Sequence, residues 1–234
     1  MNNNEPKEPA TRNLPWLIDI FLYPINTSGL INLGIFWLIP VVLEFIQMLL
    51  PIPFVYSIIN LVIGLYMYYF VMDCIRDSAA GNIRAPENIA NMPDLGDAFW
   101  QGMEIAASVI IFWGPAGFYH LFTNRTDAIF WSLLAWGVFF FPMGLLAVAM
   151  FNSTAAFNPL VWFASIFSTF FKYCGIVLFL CVLVYLFFMI VSFLGKSLLV
   201  GYFLRGIFIY LLMVLAHLLG RFYHLNREKL NWDV

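Results

Sequence analysis

YCGIVLFLCVLVYLFFMIVSFLG, residues 173–195, contains no Asp, Glu, Lys or Arg. A helix needs about 20 apolar residues to cross the hydrocarbon of a bilayer, and this run suffices. Residues 45–72 and 128–171 are equally free of charge. A β-barrel would show strict alternation over about 10-residue segments. These runs are continuous, so they read as helices. Across the chain 63% of residues are hydrophobic, 10% are charged, and the mean hydropathy is +0.88. A soluble domain carries about 25% charged residues, so the composition excludes a water-soluble fold. The expected class is all-α, a polytopic helical membrane bundle. No basic patch points to nucleic acid.

The charges gather between the apolar runs. Asp73, Arg76, Asp77, Arg84, Glu87, Asp94, Asp97 and Glu104 fall within one polar connector. Working outward from it, six spans are expected at about 29–50, 54–75, 98–122, 128–151, 173–195 and 199–222, inside a single membrane domain at 14–222. Residues 1–13 read as a disordered tail and 223–234 as a cytoplasmic one. Pro51-Ile52-Pro53 separates the first two spans. Asp94 or Asp97 caps the third, and Asp127 caps the fourth.

Residues 157–194 form one apolar block. As a single helix it would be about 57 Å long, too long for one crossing. It therefore divides, and Ser165, Ser168, Thr169 and Lys172 mark a polar stripe on its first part. That part, 159–171, is expected to lie in the membrane interface. Leu14 to Ile25 repeats apolar residues at helical spacing, with Asp19, Tyr23 and Asn26 on the other side, and reads the same way.

Six spans place both termini on one side. That side holds Lys7, Arg12, Arg76, Arg84, Lys172, Arg221, Arg227 and Lys229; the other holds Arg125, Lys196 and Arg205. The positive-inside rule then puts both termini in the cytoplasm, and the expected location is a bacterial inner membrane. No leader resembling a secretory signal opens the chain.

Glu44 is the sharpest single residue. It lies past mid-span, one turn after Pro40, and has no cation near it in sequence. An ionised carboxylate in lipid costs several kcal/mol, so it must face the bundle, find a partner or hold a proton. Gln47 and the carbonyls freed by Pro40 are local partners. Glu104 lies two turns into the third span, within reach of Arg76 or Lys172. Arg205 is expected to snorkel to the outer interface. Asp73, Arg76 and Asp77 are spaced to interact on one helix face at the cytoplasmic side.

Other groups carry less. His217, Arg221 and His224 share a face, but a metal site needs more ligands, so neither metal nor other cofactor is expected. Cys74, Cys174 and Cys181 read as small apolar residues. Gly102, Ala106, Gly137 and Gly144 allow close helix approach. No HExxH, GxSxG or CxxC motif occurs.

Residues 69–81, Asp94-Leu95-Gly96-Asp97-Ala98-Phe99-Trp100-Gln101-Gly102 and Asn158-Pro159-Leu160 resemble an uncharacterised family of prokaryotic multi-pass proteins. That family is similar to Yip1-like and glycerophosphodiester-phosphodiesterase membrane domains. The tail, from Ala216 to Tyr223 and from Lys229 to Val234, resembles planctomycete members. The resemblance implies a helical bundle with interfacial helices and supplies no catalytic residues.

Three functions are weighed on these residues. The first is a non-enzymatic protein that organises the membrane or assembles partners, with the lipid bilayer, a membrane protein or a second copy as partner. The second is a small transporter or channel built around Glu44 and Glu104. The third is a lipid enzyme using Asp73, Asp77 and Glu87, which no spacing supports.

Overall fold

The computed structural model describes residues 15–50, 52–87, 93–151, 153–194 and 197–232. The expected tail at 1–13 lies outside them. Among the described residues the fold is an all-α bundle without strands. The helices are α1 Trp16–Leu22, α2 Thr27–Leu49, α3 Pro53–Ala79, α4 Leu95–Thr123, α5 Ala128–Phe151, α6 Pro159–Ser168, α7 Phe170–Leu194 and α8 Leu198–Leu230. Single 3-10 turns follow α1 at Tyr23–Ile25 and α5 at Thr154–Phe157.

Six of these helices are long and apolar enough to cross a membrane. The chain is thus a multi-pass membrane protein. Local chemistry sets most boundaries. Asn26, Asp94, Asn158 and Ser197 cap α2, α4, α6 and α8 by accepting backbone N–H bonds. Asp127 accepts from Ile129 and Phe130 to start α5. Asn124 and Asn231 close α4 and α8 in the left-handed conformation that asparagine tolerates.

The sixth span differs from its expected bounds. α8 runs on to Leu230, through the residues read as the start of a tail. Phe222, Tyr223, Asn226 and Leu230 are buried at helical spacing, so packing continues the helix past the apolar run.

α3 and α8 form the spine of the bundle, with α4 and α5 as a second tight pair. Gly220 permits the first approach, because a Cβ there would strike the carbonyl of Ile75. Gly137 and Gly144 permit the second; a Cβ on Gly137 would lie 2.7 Å from the carbonyl oxygen of Phe112. In lipid there is little hydrophobic gain from joining two helices, so close backbone approach supplies the contact energy. α7 is the outlier: 11% of its most apolar window is buried, against 44% in α5 and in α8. It presents Leu178, Val182, Leu186 and Phe193 outward.

The two short helices correct the interfacial expectation in one respect. Part of each polar face points inward, although Ser168 and Lys172 stay exposed. Asp19 and Tyr23 are buried while Ile18 and Ile25 are exposed. Ser165 and Thr169 are buried while Leu160 and Phe167 stand out. An interfacial helix turns its polar side to water. Here the bundle supplies the hydrogen bonds instead: Thr169 donates to the Ser165 carbonyl, and Trp232 donates to the Ser165 hydroxyl.

Candidate functional site

Polar side chains inside the bundle fall into two groups at opposite ends of the spans. The end that carries the start of α2, the end of α3 and the end of α8 holds the larger group. Arg76 extends from α3 between α4 and α5. Its Nε donates to the Ala149 carbonyl at 2.7 Å and its Nη1 to Gln101 Oε1 at 3.4 Å. Beside it is a cavity of about 360 Å³ lined by Tyr69, Arg76, Asp97, Trp100, Gln101 and Glu104. The Glu104 Oε2 and Gln101 Nε2 atoms are buried there and make no hydrogen bond among the described residues. Glu104 therefore shares a cavity with Arg76, as its position in the sequence suggested. Lys172, its other expected partner, is elsewhere: its ammonium donates to Asn226 of α8.

Asp73, Arg76 and Asp77 lie along the last turns of α3. Arg76 reaches across to its neighbours, while Asp77 accepts from Asn82 just past the helix end at 2.6 Å. Behind them, Ser78 and His217 are hydrogen-bonded at 2.7 Å, both fully buried. The His217 ring stacks on Tyr23 with centroids 4.0 Å apart. Tyr23 donates weakly to the Cys74 carbonyl, and burial pushes its hydroxyl well above the ordinary phenol range. His224 hydrogen-bonds the Ala79 carbonyl. The face that carries His217, Arg221 and His224 thus serves the α3–α8 contact at two of its three positions. Among the described residues no group of three His, Cys, Asp or Glu side chains gathers as a metal site would require.

The opposite end holds one ion pair. Arg205 Nη1 lies 2.7 Å from Glu44 Oε1. Arg205, expected to snorkel, is paired with Glu44. Pairing lowers the cost of holding either charge on an apolar helix. Gln47 is half-buried one turn on and makes no hydrogen bond among the described residues. A cavity of about 440 Å³ adjoins the pair, lined in part by Pro40, Glu44, Asn60, Gly64 and Arg205. None of its lining residues also lines the cavity around Glu104. The two carboxylates thus occupy separate helix interfaces, α2–α3–α8 and α3–α4.

Sequence reasoning missed Gln101, Ser78 and Gly220. Ala216 and Gly220, one turn apart on α8, were the available signal for the last. No protein-family model, curated protein or solved structure matches the chain.

Proposed function

We propose that this is a non-enzymatic bacterial inner-membrane protein that organises partners, with both termini in the cytoplasm. One observation carries the reading: at several helix crossings a polar side chain is spent on the main chain of a neighbouring helix. Trp37 donates to the Tyr202 carbonyl, Arg76 to Ala149, Tyr210 to Phe21 and Tyr173 to Phe139. Groups committed this way stiffen a scaffold and are withdrawn from substrate chemistry. The free charge lies instead on one rim, where Arg84, Asp94, Asp97, Arg227, Glu228 and Lys229 are exposed. Mixed charge on a rigid rim suits a docked protein. The excess of Lys and Arg on this side supports its cytoplasmic placement.

Cross-linking in native membranes, followed by affinity purification in mild detergent, tests this. A discrete partner or a defined self-complex is expected. Recovery of the uncross-linked chain alone overturns the reading. A second reading, a small ion pathway at Glu44, draws on the cavity beside Pro40. If Glu44→Gln leaves proteoliposome flux unchanged for every ion tried, that reading fails.

A further inference from the structure

A third cavity, of about 500 Å³, lies where α1, α7 and α8 meet. Its rim is charged and its floor apolar. Lys172 and Arg221 supply two cations, and Asp19 supplies one carboxylate. Ile20, Ile176, Leu218 and Phe222 supply the apolar wall.

The cations are disposed for a ligand. Lys172 is the third residue of α7, at the membrane end of that helix. Its ammonium is held at 2.9 Å by Asn226 Oδ1, and buried Asn226 is fixed in turn by donating to the Phe222 carbonyl. An ammonium has three donors, so two remain. Arg221 is half-buried and makes no hydrogen bond or ion pair among the described residues. A half-buried guanidinium is costly without a bonded anion, and its planar fork matches the oxygens of a phosphate. Ile176 and Leu218 lie one turn deeper than Lys172 and Arg221 on the same helices, so an apolar path runs inward from the charged rim.

We propose that this cavity binds an anionic glycerophospholipid. The phosphodiester sits between Lys172 and Arg221, and one acyl chain lies along Ile176, Leu218 and Phe222. Charge selects the class. Two cations and one carboxylate leave a net +1, which a phosphodiester with an uncharged head group neutralises. A zwitterionic lipid leaves the excess in place. The buried volume falls in the range of small-molecule sites, about 300–1,000 Å³. This site is independent of any docked protein at the charged rim.

Native mass spectrometry of the purified full chain tests the site, with phosphatidylglycerol and phosphatidylcholine added in equal amounts. At least tenfold preferential retention of phosphatidylglycerol is expected. Arg221→Gln with Lys172→Gln abolishes the preference, Arg221→Lys keeps part of it, and Arg227→Gln, an exposed cation on the same helix, leaves it unchanged. Gly175→Leu is the second variant. A side chain there starts in open space, so the fold is kept while the cavity is filled; retention falls with both cations present. Equal retention of the two lipids, or loss of the preference in Arg227→Gln alone, overturns the proposal. Displacement of bound lipid by millimolar inorganic phosphate also overturns it, because the site would then recognise the free anion.

Discussion

Arg205 of α8 and Glu44 of α2 meet at 2.7 Å in the half of the bundle that is otherwise almost without charge. Their side chains are 39% and 32% exposed, and both stand on helices apolar enough to span a membrane. Each makes the other tolerable. Removing one leaves a lone ion in a poor solvent, whereas removing both leaves none.

A double-mutant cycle follows from this. Glu44→Gln and Arg205→Gln should each cost roughly 1–3 kcal/mol. The double variant should cost less than the sum of the two. Reversible unfolding in detergent or bicelles measures all three. Strict additivity would mean that the two groups act independently.

Gly220 predicts a packing result. A methyl group there meets the Ile75 carbonyl and the Ser78 side chain, in a place where backbone cannot retreat. Gly220→Ala should destabilise by roughly 1–3 kcal/mol. Gly201→Ala on the same helix meets nothing within 4 Å and should be neutral or slightly stabilising. Melting temperatures of the two variants, read side by side, check the contrast.

Asp127 predicts an acid-side effect. The Tyr119 hydroxyl donates to its carboxylate at 2.7 Å, and with the N–H groups of Phe130 and Ile129 it holds the acid below its ordinary range. The carboxylate is therefore favoured in the folded state. Its contribution is present above the unfolded value of about 4 and is lost as pH falls through the lower folded value. Asp127→Asn should lower stability at neutral pH and flatten the loss below about pH 4. Unfolding measured across that range decides it; parallel curves for variant and wild type would refute the assignment.

Threading can be read directly. In a cysteine-free background, Arg84→Cys and Arg125→Cys place thiols at exposed positions at opposite ends of the bundle. An impermeant maleimide should reach only position 125 in intact cells, and both after permeabilisation. Labelling at 84 in intact cells would reverse the orientation.

Much of the architecture was legible from residue type alone, because a charge-free run has one cheap conformation in oil. The fourth span, 128–151, coincides with α5 for that reason. The sixth did not, because Arg227, Glu228 and Lys229 look like a solvated tail. His224 bonds the α3 backbone, however, and Asn226 and Leu230 are buried. Asp19 and Ser165 were placed on the right faces of their helices, but those faces were aimed at water. A sequence gives the period of a polar stripe without saying whether water or protein will satisfy it. The Glu44–Arg205 pair was illegible for a related reason: the partners are far apart along the chain, and only the α2–α8 contact brings them together.

The inward-turned polar face of α1 sets a timetable. Asp19 and Tyr23 are synthesised before α8, yet the Tyr23 ring rests on His217 and Phe21 is bonded by Tyr210, both in α8. Until α8 emerges, Tyr23 has the Cys74 carbonyl of α3 but lacks the ring it stacks on. The seam between α1 and α8 can close only once α8 exists, so this corner of the bundle waits on a contact that spans 189 residues of chain.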